Sequence, residues 1–175
     1  MRFFFPLVLL FTAIGLGIYA YLGGLRTPTV ALENTAAPVL LAGQPYAGKV
    51  QDQRFGELFR EAKTMQENGR LGPTLPLANL YYNDPETAHD TIRAFVGLAV
   101  ADTTRPLPTG WRYRVLPAGR RTLHAQLAGA SFLLAPGKLY TAAEQEIKTR
   151  KLTKQSPYLE QFGTGETSEL WLGVR

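Results

Sequence analysis

The pattern of apolar positions divides the chain into one long apolar segment and a folded region. Residues 3–25 carry no charged side chain and lie between Arg2 and Arg26. A helix of this length, rising ~1.5 Å per residue, spans the ~30 Å hydrocarbon layer of a bilayer. The segment therefore predicts a single transmembrane helix, and a cleaved signal peptide is the competing interpretation. The amino terminus and Arg2 slightly outweigh Arg26, which favours an N-terminus on the inner side, although the side of the folded region stays open.

The first part of the folded region predicts a strand, a helix and two further strands. Residues 39–46, 77–82 and 91–101 have the length and composition of strands, and both faces of the last are apolar. Residues 50–68 predict a helix, because apolar side chains recur at helical spacing. The residues of this stripe are Phe55, Leu58, Phe59, Ala62 and Met65.

The second part repeats the same order of elements. Strands are predicted at 111–116, 120–128, 158–162 and 169–174, and a helix starts near Pro136. The predicted fold is thus α+β: a pseudo-symmetric pair of βαββ units forming one antiparallel-rich sheet. Both helices are expected on one face and a concave cleft on the other, after a single transmembrane helix. The expected division is 1–26 anchor, 27–37 linker or first strand, and 38–175 binding domain, with half-repeats at about 38–101 and 111–174.

Alternation along the last strands suggests a candidate site around Glu160. Tyr158, Glu160 and Phe162 share one face of a strand, because alternate side chains point the same way. Leu159 is taken as the core residue that meets the helices, which places Glu160 on the open face with Trp171. From the first half, Phe95 and one of Tyr81 or Tyr82 are expected to join; Tyr82 and Tyr46 complete the candidate ligand-binding set. An aromatic wall with one carboxylate suits a cationic or amphipathic ligand.

Composition limits the chemistry. The chain has no cysteine and two histidines, His89 and His124, so thiolate metal sites are excluded and no metal or cofactor is expected. His124 is interpreted as a surface histidine. The formal charge of +5 is scattered, and no nucleic-acid-binding motif accompanies it. The expected partners are the lipid bilayer, through residues 3–25, and a small amphipathic ligand, while protein partners stay open.

Several short motifs resemble those of the GyrI-like small-molecule-binding domains, in the expected order over residues 38–174. They are Gly43-Gln44-Pro45-Tyr46, Phe55-Gly56-Glu57-Leu58, Tyr81-Tyr82-Asn83-Asp84-Pro85-Glu86, Val115-Leu116-Pro117-Ala118-Gly119, Tyr158-Leu159-Glu160-Gln161-Phe162 and Leu170-Trp171-Leu172-Gly173-Val174. The resemblance implies a central cleft for hydrophobic, often cationic compounds, with Glu160 at the position of the family's glutamate. An apolar segment directly before such a domain is similar to the arrangement of a testis-expressed ER-phagy receptor. Two positions depart from the family pattern: Phe162 replaces a tyrosine, and residues 127–131 replace a Gly-Pro-Tyr motif.

Three functions are compatible with these features. The first hypothesis is a membrane-anchored binding module with Glu160 as the polar anchor for its ligand. The second is a small-molecule hydrolase, as the resemblance implies for some relatives, in which Glu160 acts as base or nucleophile near Trp171 or Trp111. No second convergent acid or base is visible, so binding is favoured over turnover. The third is a membrane-tethered platform for protein interaction.

Overall fold

The predicted order of helices and strands is present in the structure. It is a computed structural model, and it describes residues 4–85, 87 and 91–175. Each element lies within four residues of its predicted ends. The elements are α1 (Phe4–Tyr21), β1 (Thr29–Asn34), β2 (Val39–Gly48), α2 (Gln53–Glu67), β3 (Leu77–Tyr81), β4 (Ile92–Val100), β5 (Arg112–Leu116), β6 (Arg121–Ala128), α3 (Ala135–Arg150), β7 (Lys154–Phe162) and β8 (Thr167–Val174).

All eight strands form one sheet in the order β1-β6-β8-β7-β3-β4-β2-β5, and every neighbouring pair is antiparallel. The sequences β2-α2-β3-β4 and β6-α3-β7-β8 are two copies of a βαββ unit. They meet through β3 and β7 in the middle of the sheet. The predicted α+β fold with a duplicated unit is confirmed.

Both helices pack on the same face of the sheet. The side chain of Asp52 caps α2 by accepting a hydrogen bond from the backbone N–H of Arg54 at 3.0 Å. Leu58 and Ala62 of α2 are buried in the same apolar cluster as Leu170 and Leu172 of β8. α2 contacts β2, β3 and β4, and α3 contacts β1, β6 and β8, so each helix covers one half of the sheet.

The sheet is curled, because two short loops join strands that lie far apart in its order. Residues 35–38 connect β1 to β2 across six strand-to-strand steps, or ~29 Å in a flat sheet. Four residues can bridge at most ~18 Å. Residues 117–120 make the matching connection from β5 to β6, and the two loops bind each other: Thr35 N–H donates to Arg120 O at 2.9 Å, and Arg120 N–H to Thr35 Oγ1 at 3.0 Å.

Because of this curl, the sheet face that points away from the helices is concave. A second apolar cluster fills part of the concave face, and its members come from five strands. They are Leu41, Ala78, Leu80, Phe95, Leu116 and Leu159. The predicted concave face is therefore present, but this part of it is packed rather than open.

The expected facing of β7 is wrong, whereas Trp171 of β8 lies on the face away from the helices, as expected. In the register of β7 and β8, Leu159 lies opposite Trp171, and Glu160 lies opposite Leu170. Leu170 belongs to the core beneath the helices, so Glu160 points toward the helices, and Leu159 points away from them with Trp171. The error has a physical cause: both faces of this sheet contain apolar cores, so a single leucine does not identify the face that the helices cover.

The apolar segment forms α1, all of whose described side chains are exposed. Among the described residues it is the one helix with the length and apolar composition of a membrane span, features that signal sequences share.

We expect Gly97→Ala to destabilise the domain. Gly97 lies opposite Gly43 in the β2–β4 pair, and a Cβ on Gly97 would lie 2.0 Å from the carbonyl oxygen of Ala42. Such overpacking costs about 1–3 kcal/mol of the free energy of unfolding, which lowers the Tm of a domain of this size by about 3–10 °C. Thermal unfolding followed by circular dichroism measures the change.

The matched control is Gly165→Ala in the turn between β7 and β8, where an added Cβ meets no atom within 4 Å. An equal Tm for the two variants would contradict the tight approach at Gly97.

Candidate functional site

Glu160 occupies the centre of the sheet beneath the helices. It lies on β7, opposite Asn79 of β3 on one side and Leu170 of β8 on the other. Only 7% of its surface is exposed. A carboxyl group in this position is unusual, because burying a charge is costly unless partners compensate it.

Three side chains form hydrogen bonds with the Glu160 carboxylate. The Nδ2 group of Asn79 donates to Oε2 at 3.3 Å, and the hydroxyl groups of Tyr81 and Tyr140 donate as well. Asn79 and Tyr81 lie two residues apart on β3 and therefore share a face, while Tyr140 comes from α3. The two βαββ units together thus supply the partners of this one carboxylate.

Burial raises the pKa of Glu160 above its ordinary value of 4.5, and the three hydrogen bonds oppose this effect only in part. The pKa of the Tyr81 hydroxyl is also raised, first by burial and then by the charge and hydrogen bond of Glu160. The environment of Glu160 consequently favours the protonated form of its carboxyl group.

An aromatic cluster lies beside Glu160 between the two helices. It consists of Phe59 on α2, Phe132 in the loop before α3, and Phe162, which is two residues from Glu160 on the same face of β7. The ring centroids of Phe59 and Phe132 are 5.4 Å apart, and those of Phe132 and Phe162 are 5.2 Å apart. Phe132 is 49% exposed, so this ring is the one through which the cluster reaches the surface.

A charged cluster closes the other end of the site. Tyr158 lies two residues before Glu160 on the same face of β7. The Nζ group of Lys154 forms ion pairs with Asp84 at 2.7 Å and with Glu144 at 2.5 Å. Burial raises the pKa of the Tyr158 hydroxyl, and the charges of Asp84 and Glu144 raise it further. These contacts tie β7 to α3 and to the segment after β3.

Of the predicted site residues, Tyr158 and Phe162 share the helix-covered face with Glu160, as expected from alternation. Trp171 and Phe95 lie on the opposite face, and Phe95 is buried in the second apolar cluster. Tyr82 follows β3 and is exposed; it lines a peripheral cavity with Arg93 and Arg114. The expectation that these three join Glu160 in one cleft is wrong, because Glu160 points to the other side of the sheet.

Tyr46 lies on the helix-covered face but at the start of α2. Its hydroxyl donates to the carbonyl oxygen of Lys49 at 2.6 Å, and its ring packs on Phe55 with centroids 5.0 Å apart. These contacts make it part of the core around the first turn of α2.

Sequence reasoning missed the partners of Glu160. Asn79 is the one polar residue in the apolar run of β3, and a buried polar residue requires a partner. Alternation within one strand does not distinguish the adjacent Tyr81 and Tyr82. Tyr140 lies among apolar residues of α3, and nothing in that pattern distinguishes a hydroxyl that reaches a carboxylate. Phe132 gave no signal because it lies in a loop.

His124 is buried, in contrast to the surface position expected from the sequence. Its Nδ1 lies 2.8 Å from Glu33 Oε1, and its Nε2 lies 3.2 Å from Glu169 Oε2. The imidazole stacks on Trp171 with ring centroids 3.5 Å apart. Burial lowers the pKa of His124, but the hydrogen bonds to Glu169 and Glu33 outweigh burial and raise it. This group joins β1, β6 and β8 on the face opposite Glu160. The other histidine, His89, lies outside the described residues.

The described part of the chain contains no group of three or more acidic or histidine side chains that could hold a metal ion. Glu160 is only 7% exposed, and cavities of about 250–650 Å³ elsewhere among the described residues are lined by other side chains. The Glu160 carboxyl group is thus closed off from solvent in this structure.

Comparison with known proteins relates the chain by fold. No protein-family profile and no curated protein sequence matches it. An integron cassette protein from the mobile metagenome of Vibrio cholerae has a similar structure, with a TM-score of 0.61 and 10% identity over 85% of this chain and 96% of that one. The C-terminal domain of EcmrR is similar as well, with a TM-score of 0.58 and 14% identity over 85% of this chain and 98% of that domain.

A third similar structure contains a ligand. SAV2435 bound to tetraphenylphosphonium gives a TM-score of 0.53 and 12% identity, over 84% of this chain and 94% of that one. The structure of a hydrolase from Listeria innocua has a TM-score of 0.53 and 11% identity over 86% of this chain and 92% of that one. At identities of 10–14%, these similarities show that the chain shares its α+β fold with these proteins.

We expect Glu160→Gln to stabilise the protein at neutral pH. Because the folded-state pKa of Glu160 is raised, its protonation stabilises the fold fully below the unfolded value of about 4.5, and this contribution is lost as pH rises through the folded pKa. Glutamine stays neutral, so the Tm of the variant should exceed that of the unmodified protein by an amount that grows from pH 4 to pH 8. Each kcal/mol of unfolding free energy corresponds to about 2–4 °C in Tm.

Thermal unfolding of the full chain in detergent at several pH values measures this difference. Glu67→Gln on the exposed side of α2 is the control and should give only a small change in Tm, because its ion pair with Lys63 is exposed. A constant difference between the Glu160→Gln variant and the unmodified protein would contradict the raised pKa.

Proposed function

We propose that the chain is a membrane-anchored binding module that holds a small hydrophobic or cationic amphipathic molecule between α2 and α3, with Glu160 as the polar anchor. The observation that carries this proposal is the buried Glu160 carboxyl group, with its raised pKa, beside the aromatic cluster of Phe59, Phe132 and Phe162. A soluble domain gains no stability from such a group, since a buried carboxylate needs compensation.

A cationic ligand supplies the missing compensation. Its charge would pair with the Glu160 carboxylate in a site of low dielectric, and aromatic faces add ~0.5–2 kcal/mol to the binding of a cation. The fold shared with SAV2435, which binds tetraphenylphosphonium, supports this class of ligand. We therefore propose Asn79, Tyr81 and Tyr140 as residues that orient Glu160.

Ligand access requires a change at the aromatic cluster, because Glu160 is closed over in this structure. Phe132 is half exposed and lies in a loop, so its displacement opens the site at the least cost in packing. Phe162 and Tyr158 would then line the pocket on either side of Glu160 along β7.

We further propose that α1 anchors the protein in a membrane as a single span within residues 1–26, and that residues 38–175 form the binding domain. Residues 29–34 pair with β6 as an edge strand, so the segment between anchor and domain contributes to the sheet. The proposal includes no nucleic acid: the match to EcmrR in its complex with DNA covers 57% of that chain, while the match to its C-terminal domain covers 98%.

A hydrolase is the second candidate, favoured by the raised pKa of Glu160. The Glu160 carboxylate already accepts hydrogen bonds from Asn79, Tyr81 and Tyr140. His124 lies on the other face of the sheet. Among the described residues, no second carboxylate or histidine contacts Glu160. We therefore favour binding over turnover.

We expect the full chain in detergent to bind tetraphenylphosphonium and the Glu160→Gln variant to bind it at least tenfold more weakly. Two unit charges about 4 Å apart attract by ~4 kcal/mol at an effective dielectric constant of about 20, and 1.4 kcal/mol is a factor of ten in Kd. Isothermal titration calorimetry measures both affinities.

A neutral aromatic compound of similar size should bind both forms alike, and Glu67→Gln should retain full affinity for the cation. Equal affinities of the unmodified protein and the Glu160→Gln variant for tetraphenylphosphonium would overturn the role of Glu160.

We expect the full chain to stay in the membrane pellet after extraction with alkaline carbonate, since α1 is an 18-residue, predominantly apolar helix with no charged and no buried side chain. A chain that lacks residues 1–26 should appear in the supernatant. Release of the full chain would contradict the anchor, and an N-terminal sequence that begins after α1 would support a cleaved signal sequence instead.

A further inference from the structure

The segment that follows α1 forms hydrogen bonds with the start of α3. The backbone N–H of Ser131 donates to the carbonyl oxygen of Leu22 at 2.9 Å, and the Nζ group of Lys138 donates to the carbonyl oxygen of Gly24. Gly23 and Gly24 are buried. The chain that leaves α1 therefore packs directly on the domain, and the surface around residues 131–138 lies next to the end of the apolar helix.

This surface exposes large apolar side chains. Leu25 is 75% exposed, Leu133 78% and Phe132 49%. Three such side chains side by side are costly in water, but they suit the boundary between lipid headgroups and acyl chains. Their position beside α1 identifies the part of the domain that would touch the bilayer.

A groove of about 590 Å³ begins at the same place, a volume typical of small-molecule sites. Arg26 and Lys138 line it together with Leu133, Leu134 and Ala142. None of its lining residues is acidic, and among the described residues neither Arg26 nor Lys138 forms an ion pair. The groove thus combines two uncompensated positive charges with an apolar wall.

The start of α3 adds to the positive potential. Its N-cap residue, Leu134, provides no side-chain hydrogen bond to the first turn, and the N-terminal end of a helix carries partial positive charge. Gly137 of this first turn lines the groove. An anionic group would be favoured there by the helix end as well as by the two cations.

We propose that this groove binds the headgroup of an anionic phospholipid in the membrane that α1 enters, with Arg26 and Lys138 on the phosphate and Leu133 among the acyl chains. The inference rests on the proposed function insofar as α1 spans a membrane. Basic side chains next to a span attract anionic lipid, and the covalent connection to α1 holds this groove at the lipid surface.

The experiment uses the full chain in detergent with phosphatidylglycerol or phosphatidylcholine added, and native mass spectrometry measures the retained lipid. We expect at least a tenfold preference for phosphatidylglycerol. Arg26→Gln with Lys138→Gln should reduce binding of phosphatidylglycerol about 30-fold, roughly fivefold for each charge. Arg26→Lys with Lys138→Arg keeps both charges and should retain the preference.

Arg121→Gln with Lys148→Gln is the matched control, because it removes two exposed positive charges that lie outside this groove. Equal retention of both lipids, an unchanged preference in the Arg26 and Lys138 variant, or an equal loss in the control would overturn the proposal. Displacement of phosphatidylglycerol by inorganic phosphate would also overturn it, since the groove would then be a site for free phosphate.

Failure of the lipid site and failure of the proposed function give different results. If only the lipid site is wrong, the unmodified protein still resists carbonate extraction and binds tetraphenylphosphonium, but it shows no lipid preference. If the anchor or the Glu160 site is wrong, the carbonate experiment or the cation titration fails by itself.

Discussion

The pairing of β3 with β7 is the interaction on which both the fold and the candidate site depend. The two strands belong to different βαββ units, and their pairing joins the halves of the sheet. The same register sets Asn79 opposite Glu160 and Tyr81 opposite Tyr158. A shift of one residue would turn Asn79 and Tyr81 to the other face and leave a buried carboxyl group without two of its three partners.

The curl of the sheet gives its two faces different uses. The four-residue loops 35–38 and 117–120 connect strands from opposite sides of the sheet and so require the curl. The apolar cluster around Phe95 and Leu159 fills the concave face. The helices cover the other face, where Tyr140 of α3 contacts Glu160. Because one face is packed from within, the proposed ligand site uses the face that the helices cover.

Phe132 links the candidate site to the surface beside α1. It contacts Phe59 and Phe162 of the aromatic cluster, and it follows Ser131, whose N–H binds the end of α1. The residue that closes the site thus lies one position from the attachment of the apolar helix. The proposed binding at Glu160 and the proposed contact with a bilayer therefore involve the same short loop.

The sequence by itself determined the elements and their order, because periodic apolar positions such as Leu58 and Ala62 fix which segments can form helices and strands. It also singled out Glu160 as a carboxylate among aromatic residues. Only the tertiary structure decided which face Glu160 occupies and which partners it has. Alternation relates residues within one strand, whereas the facing of β7 depends on its register with β3 and β8 and on a curl that buries both sides of the sheet.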